Sequence, residues 1–211
     1  MDAKDKVRIG ELSRGGSNRT EIKALDHDFY DETITPFGLF LPDFNETYLY
    51  MTQTYTSSDF IVDCVEDFWE TYKDRFPKVT KLLLNFDNGV ENNSSRTQFM
   101  KRIVDFVEKQ KIEIELAYYP PYHSKYNPIE RVWGVLEKHW NGTLLDSVTK
   151  VMGFAKSMTY NGISPIVKFI DKVYTTGVTL TKLEMEEVEK KIIRLEGLKK
   201  WSVRVPCSLL L

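Results

Sequence analysis

Two carboxylates in this chain sit where chemistry can be done. Asp87 closes the apolar run KLLLNFD, and the turn signal Asn88-Gly89 follows it. A buried strand delivers its last residue to the rim of a sheet, where α/β proteins place ligands. A carboxylate there needs water, a partner or a cation; the plainer alternative is the first residue of a turn. Glu130 lies in YYPPYHSKYNPIERVWGVLEKHWNG, residues 118–142. Asn127 is a natural N-cap, Pro128 a natural first helical residue, and Glu130 then falls third, so spacing alone favours a capping-box acid. The helix dipole favours an acid there as well. Two details point elsewhere. Ile129, Val132, Trp133, Leu136 and Trp140 form an apolar stripe with Glu130 at its edge, and Gly134 leaves space one turn on. Cap, surface charge and metal or catalytic ligand all stay open at Glu130.

The elements that must position these acids follow from periodicity. DKVRIGELSRGG alternates weakly and ends in a glycine turn, which predicts a strand and a loop. TPFGLFLPD and TYLYMTQTYT, separated by FNE, predict an antiparallel hairpin. Phe60, Ile61, Cys64, Val65, Phe68, Trp69 and Tyr72 recur at helical spacing after the cap candidates Ser57 and Ser58. TKLLLNFD predicts a buried central strand. SSRTQFMKRIVDFVEKQ predicts a helix with Ser95 and Gln98 as a capping box, and IEIELAYY a further strand. Helices are then expected from Pro128, over about 145–159, over 165–175 behind Pro165, and over 181–196, the last with a Thr181/Glu184 capping box and Gly197 as its stop.

Three antiparallel strands followed by alternating strands and helices predict an α/β fold. The order matches a ribonuclease-H-like mixed sheet, with helices on both faces and extra C-terminal helices. The expected division is a core over 1–142, a helical extension of the same domain over 143–201, and a tail over 202–211 in which VPCSLLL reads as unstructured.

Composition bounds the function. The chain has 211 residues, 42% hydrophobic and 28% charged, enough for one sizeable folded domain. The net charge of −2 is not the footprint of a dedicated nucleic-acid binder. Lys4, Lys6, Arg8, Arg14, Arg19 and Lys23 nevertheless crowd the start, either as solvated surface or as a phosphate-touching loop. Cys64 and Cys207 give neither a disulfide framework nor a zinc spacing, and Cys64 reads as a buried thiol. No apolar run reaches membrane-spanning length and no secretory signal opens the chain, so a cytoplasmic protein with no membrane partner is the simplest expectation. Three further acids are candidates: Asp2 at the first strand, and Asp26 and Asp28 flanking His27.

Taken together, LNFDNGVENNSSRTQFMKRIVDF, the 118–142 segment and DAKDKVRIGELSRGG…KALDHDF resemble the ISAzo-type insertion-sequence transposases. These belong to the DDE superfamily, which shares a ribonuclease-H-like catalytic core. PPY…NPIE…W is also similar to the third-acid motif of mariner-like transposases. The resemblance runs from Asp2 to about Trp201 and rests chiefly on residues 118–142. It implies an acidic triad of Asp2, Asp87 and Glu130, both as catalytic residues and as metal ligands.

The activity so implied is phosphodiester cleavage and strand transfer at insertion-sequence ends, with two Mg²⁺ ions expected and Mn²⁺ as substitute. Such catalysis is mostly positioning and charge stabilisation. The implied partners are DNA and, on it, further copies of the chain. Lys4, His123, Lys125 and Arg131 are the candidates for DNA contact. Only Met1 precedes Asp2, whereas the family's first strand carries residues before its aspartate, so an N-terminally truncated transposase is expected. A nuclease of the same fold without strand transfer, and a non-catalytic DNA-binding remnant, are the alternatives.

Overall fold

The computed structural model describes residues 1–12, 14, 32–120 and 126–207. In chain order the elements are β1 (Asp2–Ala3), β2 (Val7–Arg8), β3 (Thr33–Leu41), β4 (Glu46–Thr52), α1 (Ser58–Tyr72), β5 (Lys81–Phe86), α2 (Thr97–Gln110), β6 (Glu113–Tyr118), α3 (Ile129–Trp140), α4 (Val148–Ser157), β7 (Ile166–Phe169), α5 (Lys182–Glu189), β8 (Ile193–Arg194) and β9 (Ser202–Val205). The fold is mixed α/β. Its described strands fall into two sheets rather than the single sheet expected: β1-β3-β4-β7, with β2 also on β3, and β5-β6-β9-β8. The chain divides into two compact units. One holds Met1, 55–127 and 174–211; the other holds 2–54 and 128–173.

The second unit is built on the predicted hairpin. β3 and β4 pair antiparallel from Thr35↔Thr52 to Leu41↔Glu46. Asn45 closes the turn in the left-handed region at φ 53°, a conformation short polar side chains tolerate. Leu49, Tyr50 and Met51 are all fully buried, so β4 is covered on both faces. β3 flanks it on one side and β7 runs parallel to it on the other. The apolar stripe of α3 joins Val7, Ile9, Ile34, Leu49 and Met51 in one core, with Val151 and Ala155 of α4.

The first unit is built on a parallel pair. β5 and β6 run in register from Lys81↔Glu113 to Phe86↔Tyr118, with α2 as their crossover. β9 adds to β6 antiparallel, and β8 adds to β9. Helices α1 and α2 are laced by charge: Arg102 reaches Asp59 at 2.8 Å and Asp63 at 2.6 Å, and Lys109 reaches Glu66 at 2.5 Å. Cys64 is buried as expected, which pushes its thiol well above the ordinary range, helped by Asp63 and Asp67.

Several local expectations are corrected. Residues 166–169 are a strand, not part of a 165–175 helix, because Tyr48–Met51 offers them a parallel partner. The helix predicted over 181–196 stops at Glu189, and Ile193–Arg194 pairs with β9 before Gly197 is reached. Residues 202–205 form β9, with Val203 and Val205 buried, so the strand takes in the first residue of the VPCSLLL stretch expected to be unstructured. β5 is not fully buried, since Leu83 is 57% exposed. The Thr181/Glu184 capping box forms. The Ser95/Gln98 box does not; Gln98 donates to Asp59 Oδ1 instead, at 2.9 Å.

Candidate catalytic acids

Asp87 stands at the carboxyl end of β5, one residue past the last paired position, and is exposed. Its Oδ1 accepts from the Gly89 N–H at 3.1 Å and from Asn92 Nδ2 at 3.0 Å. Asn88 turns the chain in the left-handed region at φ 65°. Asn92 is itself anchored, because its carbonyl accepts from the Tyr118 hydroxyl at 2.9 Å. Burial of that phenol raises its pKa, so it remains a donor. The end of β6 thereby fixes Asn92, and Asn92 fixes Asp87. Among the described residues, Asp87 Oδ2 accepts no hydrogen bond.

Glu130 is set differently. Among the described residues, the capping box that spacing favoured is absent: α3 starts at Ile129 with Pro128 in the cap position, and no side chain caps it. Asn127 is 1% exposed, and among the described residues neither atom of its amide has a hydrogen-bond partner. Glu130 is half-buried and has no hydrogen bond or ion pair among the described residues. What orients it is packing. Ile129 on one side of it in sequence and Trp133 a turn further on are both in the core. They press on Gly38 of β3 so closely that a Cβ there would lie 2.8 Å from Ile129 Cδ1 and 2.8 Å from Trp133 Cη2.

Asp2 lies in β1, half-buried, as the antiparallel partner of Gly38. Asp2 and Glu130 therefore belong to one unit and Asp87 to the other. Gly38 was not singled out from the sequence, although an isolated glycine inside an apolar strand signals a close backbone approach.

Of the residues expected to meet DNA, Lys4 is paired with Glu137 of α3 at 2.5 Å, and its side chain is 13% exposed. Burial alone would raise the Glu137 carboxyl, but Lys4 and the Trp140 Nε1–H, at 2.7 Å, hold it below its ordinary range. Arg131 is exposed. His123 and Lys125 lie outside the described residues, as do Asp26, His27 and Asp28. Arg14 donates to the Arg8 carbonyl and sits over the Trp140 ring, 5.9 Å from its centroid.

Among the described residues, no three His, Cys, Asp or Glu side chains form a metal-holding group. The donor chemistry of the acids nevertheless suits a hard cation. Among the described residues, Asp87 keeps one oxygen open and Glu130 keeps both, and Mg²⁺ is commonly bound through one or two carboxylates, completed by waters and substrate phosphates.

Comparison with known families identifies the class of protein: residues 1–206 match the model of the Rhodopirellula transposase DDE domain. The chain belongs to that family, as its motifs implied. Neither the curated proteins nor the solved structures compared with it contain a match. Membership makes DNA the implied partner. Among the described residues, no helix is long and apolar enough to cross a membrane.

Proposed function

We propose that the chain is the catalytic domain of a DNA transposase of ribonuclease-H-like architecture. It cleaves phosphodiesters and transfers strands at insertion-sequence ends, acting with further copies of itself on DNA. Asp2, Asp87 and Glu130 form its acidic triad and hold two Mg²⁺ ions. When bound, such a pair supplies an activated attacking oxygen and charge neutralisation at the leaving oxygen. The chain's own part is to aim the carboxylates: the Asn92 hydrogen bond holds Asp87, and the packing of α3 holds Glu130. The observation that carries the reading is that Glu130 is not used as a cap. An acid in the first turn of a core-packed helix, with both oxygens unbonded among the described residues, is left available to a ligand.

The test is nicking of an end-labelled duplex with Mg²⁺ or Mn²⁺ by the full chain, by Asp87→Ala and by Glu130→Ala. Cutting by the full chain, reduced at least about 10²-fold in either variant, is expected, by analogy with the loss of one transition-state contact. Variants that cut as well as the full chain would remove these acids from the mechanism. DNA binding without cutting would make the chain a non-catalytic remnant.

A further inference from the structure

We propose that Gly38 is a positioning residue for the cleavage reaction, setting the strand that carries Asp2 against the helix that carries Glu130. This rests on the triad reading above. The observation behind it is steric. Gly38 is buried in a strand whose other members include Ile34, Phe37, Leu39 and Phe40, and its φ is not in the left-handed region. A glycine so placed weakens a strand and is explained by close approach of a neighbour. That neighbour is α3: a Cβ at position 38 would meet Ile129 Cδ1 at 2.8 Å, Trp133 Cη2 at 2.8 Å and Trp133 Cζ2 at 2.9 Å.

Carbon atoms in ordinary contact are about 3.5–4.0 Å apart, so a methyl group would force helix and strand apart by roughly 1 Å. The two side chains have little room to turn aside, because Ile129 is 0% and Trp133 5% exposed. The displacement therefore falls on the backbones. On the strand, the residue paired with Gly38 is Asp2. On the helix, the residue between Ile129 and Trp133 nearest the contact in sequence is Glu130. A second clamp joins the same elements: Lys4 donates its N–H to the Pro36 carbonyl at 2.8 Å and its ammonium to Glu137 at 2.5 Å. With that end fixed, a methyl at Gly38 acts as a wedge at the end where the acids are. A misplacement of about 1 Å at reacting groups costs on the order of 10²-fold in rate.

The experiment compares Gly38→Ala with Val151→Ala, which opens a cavity in α4 of the same core. Three quantities are read: thermal midpoint, cutting rate per folded molecule, and Mn²⁺ uptake followed by electron paramagnetic resonance. Gly38→Ala is expected to lower the rate about 10²-fold and to weaken Mn²⁺ binding about 10–100-fold. Val151→Ala is expected to lower the midpoint alone. Ile129→Val with Trp133→Phe removes all three clashing atoms, and among the described residues Trp133 Nε1 has no hydrogen-bond partner to lose. In that background, adding Gly38→Ala should change neither rate nor Mn²⁺ affinity.

Wild-type Mn²⁺ affinity and rate per folded Gly38→Ala molecule would overturn the proposal, as would a loss no smaller in the Val151→Ala control. A wild-type chain that takes up Mn²⁺ without cutting DNA would overturn the transposase reaction; a weakened Mn²⁺ uptake in Gly38→Ala would then still support the positioning role. A wild-type chain that takes up no Mn²⁺ would overturn both.

Discussion

Asp87 and Glu130 are held by opposite means. Asp87 is exposed at a strand end and fixed by hydrogen bonds in a polar turn, through Asn92 to Tyr118. Glu130 bonds to nothing among the described residues and is fixed by the apolar helix beneath it. An acid held by hydrogen bonds depends on particular donors and tolerates changes of volume nearby. An acid held by packing tolerates loss of polar partners and is sensitive to a single methyl group. The same contrast runs through the units that carry them: α1 and α2 are laced by Arg102 and Lys109, whereas α3 is seated by Ile129, Trp133 and Trp140.

Trp133→Ala should have the largest effect on stability, about 3–5 kcal/mol by denaturant titration, because it empties a core site. If it instead costs under 1 kcal/mol, packing does not hold α3, and the contrast breaks on the Glu130 side. Asn92→Ala should cost about 1 kcal/mol, the net value of one hydrogen bond, with cutting falling further than that figure implies. Were its stability loss as large as that of Trp133→Ala, the Asp87 turn would be a packed element after all.

The smallest effect is a pH dependence. Lys4 and Trp140 hold the Glu137 carboxyl below its ordinary value, so the folded state binds its proton less readily than the unfolded chain does. The stability this adds is full above the unfolded value near about 4.3 and is lost as pH falls through the lowered one. Glu137 is 47% exposed, so the contribution is under about 1 kcal/mol. Thermal midpoints from pH 7 down to 3 should show a shallower acid slope in Glu137→Gln than in the wild type.

Much of this was legible in the sequence where local pattern and long-range pairing agree. The hairpin, the α3 stripe and the strand ending at Asp87 all carry strong periodicity and turn signals. In the C-terminal third the helix near 148–157 and the Thr181 capping box were legible, but the strands were misread because they depend on distant partners. Ile166–Phe169 is short and apolar, and its choice of strand over helix is made by β4, far back in the chain. Ile193–Arg194 continues a helical pattern until β9 claims it. Ser202–Val205 did carry a signal, since Val203 and Val205 alternate with Arg204. At the candidate site, residue types pointed to Asp87 and Glu130. The role of Gly38 needed the fold, because a missing side chain has meaning only beside what fills its place. The cap reading of Glu130 failed for a local reason: Pro128 occupies the position that Asn127 was expected to hold.

The interleaving of the two units has a consequence for synthesis. Each is assembled from segments that the other interrupts: 55–127 lies inside the span of 2–54 and 128–173, and the latter stretch separates 55–127 from 174–211. As the chain leaves the ribosome in order, the unit of 2–54 and 128–173 is complete only after residue 173, and the other only once the segment from 174 on has followed. The parallel pair β5-β6 must wait for β9, and until residues 202–205 arrive β6 has an open edge on the side β9 will cover. An open strand edge is a template for pairing with other chains, and proteins with such late, long-range closures fold slowly. The last strand is thus a timed cover as well as a structural one, and the interval before it arrives is when a nascent chain is most exposed to its neighbours.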